Sequence, residues 1–173
     1  MPAYTLDTSD TVTAPDGATL YRIRYADGTP GGYLQSTTNL DPASDARVFG
    51  DARVYGNARV YGNARVYGNA QVYGNAQVYG NARVYGNAWV SGNARVSEPQ
   101  HCLTIGPLGS RAAILTVCRD STLGISYATG CFFGSREAFL NAVEATHGDS
   151  PTGNAYAAAV MLADHVAPPY TQE

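Results

Sequence analysis

Between Ala46 and Ser97 a six-residue unit recurs nine times, reading ARVFGD ARVYGN ARVYGN ARVYGN AQVYGN AQVYGN ARVYGN AWVSGN ARVS, and this repeat constrains the fold more than any other feature. Valine stands at 48, 54, 60, 66, 72, 78, 84, 90 and 96. Each unit places a small residue and a β-branched one at alternating positions, then a Gly-Asn pair that accepts positive φ with little strain. The unit therefore reads as a short strand followed by a corner. Only 14% of the 173 residues are charged and none is lysine, against roughly 25% charged in an ordinary domain. Residues 46 to 97 hold six Arg against the single Asp51, a balance of +5, so a net charge of −3 leaves −8 on the rest of the chain.

The hexads resemble the left-handed parallel β-helix of hexapeptide-repeat proteins, in which an aliphatic residue is followed four positions later by a small one, as Val48 is by Ala52. That resemblance implies three hexads per triangular coil, hence about three coils, each rising about 4.8 Å. The residue after the aliphatic position departs from the family pattern, being Phe49 or Tyr at 55, 61, 67, 73, 79 and 85, and these rings are expected to point outward. An 18-residue coil stacks Arg47, Arg65 and Arg83 beside Phe49, Tyr67 and Tyr85 on one face. Arg53, Gln71 and Trp89 stack beside Tyr55, Tyr73 and Ser91 on the second face, and Arg59, Gln77 and Arg95 beside Tyr61, Tyr79 and Ser97 on the third. So slim a Val/Ala core favours burying an aromatic column between subunits, and the resemblance implies a homotrimer.

Residues 18 to 40 carry alternating strand signals and turn at Asp27-Gly28 and Pro30-Gly31-Gly32, a hairpin-like entry after which Leu34 and Leu40 begin an irregular first coil. Beyond Pro99 three strands are expected around Leu103 and Ile105, around Ala113, Leu115 and Val117, and around Ile125 and Tyr127, with Gly106-Pro107-Leu108-Gly109 as the first turn. Ser135 is a helix N-cap preceding Phe139, Ala142, Val143 and Thr146 on one face, and Gly148 ends that helix. A second helix follows Pro151 with Tyr156, Ala159, Val160 and Ala163 on one face. The expected fold is mainly β: an N-terminal β hairpin and cap over 1–45, a left-handed β-helix over 46–97, and a small α+β cap over 98–173 with a three-stranded antiparallel meander and two helices.

Cys102, Cys118 and Cys131 are odd in number and lack C-x-x-C spacing, so no disulfide framework or zinc site is expected and all three read as reduced and mostly buried. The start MPAYTLDTSDTV has neither the basic nor the apolar segment of a signal peptide, and no apolar run is long enough to span a bilayer, which points to the cytoplasm and away from membranes. An acyltransferase would need a general base, most often His, beside a loop leaving the coils. The coils run without insertion from Val48 to Val96, and His101, His147 and His165 all lie outside them, so no catalytic residue, metal or cofactor is expected. Gly106, Gly109, Ser110 and Arg111 could wrap an anion with backbone N–H groups and a bidentate guanidinium, with Thr129, Cys131 and His147 completing the pocket. The same loop reads equally as a hairpin turn whose Arg pairs with a carboxylate.

LYRIR, GGYLQS and NL, then the GNARVYGN hexads, then TIGPLGSR, TGCFFGS and EATHGD together resemble a group of phage- and prophage-encoded hexapeptide-repeat proteins over residues 20 to about 166. The resemblance implies a phage origin. Arg47, Arg65 and Arg83 beside Tyr67 and Tyr85 suit nucleotides, since guanidinium meets phosphate and rings stack on bases, whereas the net negative charge opposes a long nucleic acid. The expectation is a non-catalytic trimeric binding protein that sequesters a small anionic ligand, a cyclic or ADP-ribose-type nucleotide of host defence. The alternatives are a hexapeptide-repeat acyltransferase and a virion or tail-associated structural trimer.

Overall fold

The computed structural model describes residues 3–169; Met1, Pro2 and residues 170–173, which the expected end segments include, lie outside the described residues. Three strands open the chain: β1 (Tyr4–Thr13), β2 (Thr19–Tyr25) and β3 (Pro30–Leu34), with β1 and β3 both antiparallel to β2. The hexads then supply nine two-residue strands: β4 (Arg47–Val48), β5 (Arg53–Val54), β6 (Arg59–Val60), β7 (Arg65–Val66), β8 (Gln71–Val72), β9 (Gln77–Val78), β10 (Arg83–Val84), β11 (Trp89–Val90) and β12 (Arg95–Val96). Each pairs in parallel with the strand three units on, giving the sheets β4-β7-β10, β5-β8-β11 and β6-β9-β12.

The 18-residue register follows from chemistry at both ends of the unit. Every repeat Val and Ala from Val48 to Val96 is at most 1% exposed, so a slip of one residue would bring the outward Arg, Gln or Tyr inside. Glycine is required at the corners. Gly62 has φ +70, and a Cβ there would meet the Gly80 nitrogen at 2.9 Å. The chain is thus a β-helix repeat protein, a β-solenoid of about four turns rather than three. The additional turn precedes the hexads, where β3 pairs in parallel with β5 and Leu40 bridges Val60.

At the first turn the Tyr25 hydroxyl accepts from the Val48 N–H (2.8 Å) and donates to its carbonyl (3.0 Å). The Asn39 amide donates to the carbonyls of Gly56 and Ala58, at 3.1 and 2.9 Å. Strand β1 was not expected from its polar sequence. Its Tyr4 and Leu6 join the core, while along its polar middle Asp7 pairs with Arg24, and Asp10 with Arg22 and Arg24.

Beyond the last turn, β13 (Cys102–Leu108), β14 (Ala113–Asp120), β15 (Gly124–Thr129) and β16 (Phe132–Gly134) form one antiparallel sheet, four-stranded rather than three-stranded. Helices α1 (Arg136–His147) and α2 (Pro151–Val166) pack on it, burying Leu115, Val117, Tyr127, Phe139, Val143, Tyr156, Val160 and Ala163 in a second core. The N-cap at Ser135 and the stop at Gly148 are as expected, with the Ser135 hydroxyl accepting from the Ala138 N–H. Asp120, 1% exposed, ties this sheet to the last turn by accepting from the N–H groups of Asn93 (3.1 Å), Thr122 (2.8 Å) and Leu123 (3.0 Å).

Two expectations fail here. Cys102 and Cys118 are direct cross-strand partners, Cα atoms 4.2 Å apart, and form a disulfide, while Cys131 is exposed rather than buried. Spacing alone did not show the pairing because the hairpin register creates it. The turn between β13 and β14 lies at residues 109–112, not at 106–109, because β13 continues through Gly106-Pro107 to Leu108.

Candidate functional site

The sheet and the two helices enclose a cleft of about 400 Å³. Three irregular segments meet at its mouth. The β13–β14 hairpin tip contributes Gly109, Ser110 and Arg111; the β15–β16 turn contributes Thr129, Gly130 and Cys131; the adjoining ends of α1 and α2 contribute Thr146, His147 and Thr152. Gly109 has φ +65, and a Cβ there would meet Thr152 Cγ2 at 2.8 Å, so glycine lets the tip lie against the start of α2.

The cleft floor is aromatic. Phe139 stacks on Tyr127 with centroids 5.5 Å apart and meets Phe132 and Tyr156 edge-on at 5.2 and 5.7 Å. The His147 ring lies on Tyr156 at 5.8 Å and 26°, which sets the imidazole between the floor and the mouth. The helices that carry these rings are clamped by Arg136, whose guanidinium grips Asp164 in a bidentate pair at 2.6–3.1 Å. That hydrogen-bonded guanidinium holds the Asp164 carboxyl below the usual carboxylate range. Thr129 Oγ1 is buried and has no hydrogen-bond partner among the described residues, an unsatisfied donor and acceptor on the cleft wall.

Six of the residues singled out from sequence therefore share one cleft: Gly109, Ser110, Arg111, Thr129, Cys131 and His147. Gly106 does not. It lies within β13, where a Cβ would meet the Ala113 carbonyl at 2.7 Å, so its backbone faces the hairpin partner. Arg47, Arg65 and Arg83 are in register on the solenoid, with Tyr67 and Tyr85 stacked 5.5 Å apart beside them, and none of the five lines the cleft. The hairpin loop and the arginine columns thus lie on two separate surfaces. Phe132, Phe139, Thr152 and Tyr156 were not expected in a site, because helix periodicity marks Phe139 and Tyr156 as core without showing that the core opens at one end.

The other histidines are tied into structure. His101 is buried with Nδ1 3.1 Å from Ser97 Oγ and Nε2 2.8 Å from the Arg119 guanidinium, and His165 Nδ1 lies 2.7 Å from the Met161 carbonyl. Among the described residues no three His, Cys, Asp or Glu side chains gather as a metal site would require, and no helix is long and apolar enough to cross a membrane.

Comparison with known families gives a match to the YdcK β-solenoid repeat at residues 46–60, 58–74 and 76–92, which covers most of the hexads and none of the cleft. The chain matches no curated protein and no solved structure. Both the repeat match and the stacked coils identify a β-solenoid repeat protein.

Proposed function

We propose that the chain is a non-catalytic binding protein whose C-terminal cleft takes a small anionic ligand of nucleotide type, a cyclic or ADP-ribose-type nucleotide. One observation carries the reading: the hairpin tip Gly109-Ser110-Arg111, the Thr129-Gly130-Cys131 turn and His147, distant in sequence, converge on one cleft with an aromatic floor. A guanidinium and backbone N–H groups at the mouth suit a phosphate, rings below suit a base, and the unpartnered Thr129 hydroxyl supplies a further polar contact. A volume of about 400 Å³ falls in the usual range for small-ligand sites, roughly 300–1,000 Å³.

The proposal extends to the whole molecule. The β-helix is left-handed, the N-terminal strands act as a cap on its first turn, and three copies associate through an outward face. Support for association comes from the Tyr67–Tyr85 column, where Tyr85 is 52% exposed beside Arg65 and Arg83. Given the resemblance to phage-encoded proteins, the biological role is sequestration of a host defence signal in the bacterial cytoplasm. Native mass spectrometry of protein purified from infected cells tests these points together. A trimer carrying a nucleotide that is recovered chemically intact is the expected result. A ligand-free monomer contradicts the reading, and recovery of a cleaved or acylated product moves the chain to the enzymes.

A further inference from the structure

A second concavity, about 470 Å³, lies on the solenoid face formed by β5, β8 and β11, away from the C-terminal cleft in both residues and chemistry. Its floor is a pair of rungs. Tyr55 and Tyr73 stack at 5.2 Å and 5°, and the Tyr55 hydroxyl donates to Gln71 Oε1 at 3.1 Å, so the oxygen of that amide is engaged while its N–H groups make no hydrogen bond among the described residues. Asn57 donates to Asn75 at 3.3 Å across the same two rungs, repeating one amide along the groove. Asp16, on the β1–β2 connection, is the one charged residue on the wall among the described residues.

The third rung breaks the pattern. The hexad AWVSGN replaces the usual Arg or Gln by Trp89 and the usual Tyr by Ser91. Packing accounts for Ser91, because Phe133 of the C-terminal sheet lies over the adjoining Gly92, where a Cβ would meet its ring. Trp89, whose backbone N–H donates to Thr116 Oγ1 of the same sheet at 3.0 Å, keeps a partly exposed indole that lines the groove. The Tyr73 column continues with a small residue instead of a third ring, and an indole stands beside that step.

We propose that this groove binds a neutral saccharide. Anions are disfavoured by a wall whose single charge among the described residues is a carboxylate, and cations because Gln71 Oε1 and Asn75 Oδ1 already accept from Tyr55 and Asn57. A sugar ring answers both demands: its hydroxyls donate to Asp16 and accept from Gln71 and the Asn amides, while its C–H face lies on Tyr73 and Trp89. Rungs about 4.8 Å apart repeat these groups along the axis, which favours an oligomer over a single sugar.

Trp89 is the only tryptophan, so its emission reports occupancy directly. The test titrates the full chain with neutral oligosaccharides of hexose and N-acetylhexosamine units, following Trp89 fluorescence and, in parallel, calorimetric heat. At least one series should saturate the emission change. Trp89→Arg restores the residue most hexads carry and so keeps the coil; it should weaken the calorimetric affinity at least tenfold, while Arg111→Ala in the other cleft leaves it unchanged. No response to any oligosaccharide, undiminished heat with Trp89→Arg, loss of binding with Arg111→Ala, or saturation by nucleosides or arginine peptides instead would each overturn the assignment.

Discussion

The repeat and the C-terminal region use polar groups in opposite ways. Within the solenoid each rung answers the next: the Arg65 N–H donates to the Ala82 carbonyl and the Tyr67 N–H to the Val84 carbonyl, both at 2.9 Å, while Tyr61 donates to Gln77 and stacks on Tyr79. The C-terminal sheet and helices have no such translation, and where their ends meet, Ser110, Arg111, Thr129 and His147 face a cleft. Regular repetition satisfies its own donors and acceptors. Groups left for a ligand therefore collect where the repetition is broken, at the hairpin tip and at the departing hexad AWVSGN, with the regular rungs beside that hexad adding only the amide hydrogens their own ladder leaves over.

The largest effect is expected at the junction of the two regions. Asp120→Ala removes a buried carboxylate that accepts from three part-buried N–H groups and should cost about 3 kcal/mol, lowering the melting temperature by about 9 °C. A change of only a degree or two in calorimetric melting would mean that the regions are stabilised separately. Next comes the solenoid interior, where Ala70 is fully buried: Ala70→Leu should overpack the coil by about 2 kcal/mol, measured by chemical denaturation. Tyr25→Phe removes both bonds to Val48 and should cost about 1.5 kcal/mol.

The smallest effect is a pH dependence at the N-terminal strands. Burial, with Tyr25 and Asp41 nearby, pushes the Tyr4 phenol up to about 12. Because the folded value is raised, the stabilisation is complete below pH 10 and is lost as pH climbs from 10 towards 12. Melting curves across that window should fall steadily, and Tyr4→Phe should lessen the fall without abolishing it, because burial also raises the phenols of Tyr25, Tyr33, Tyr55, Tyr61 and Tyr127.

Legibility in the sequence follows the same division. A strict six-residue period specifies inward Val and Ala and outward columns, and Arg47, Arg65 and Arg83 stand in the expected register. Helix signals at Ser135, Gly148 and Pro151 were equally plain, being local. What escaped depends on pairing between distant segments. The disulfide needs Cys102 opposite Cys118, which a turn moved by three residues decides. Strand β1 is apolar only near its ends, at Tyr4, Leu6 and Val12, and its polar middle is held by Arg22 and Arg24 from its neighbour. The mouth of the cleft was legible as Gly-Ser-Arg chemistry, whereas its floor was hidden among residues that read as ordinary core.

Arg111 stands at the centre of the functional proposal, since among the described residues it is the one guanidinium on the cleft wall. Isothermal titration of the intact chain against cyclic and ADP-ribose-type nucleotides, repeated with Arg111→Ala, tests that claim most directly. Stoichiometric binding that weakens at least about tenfold in the variant, roughly 1.4 kcal/mol, with an unchanged melting temperature, is the predicted result. Absence of heat across the whole panel, or equal affinity in the two proteins, would contradict it.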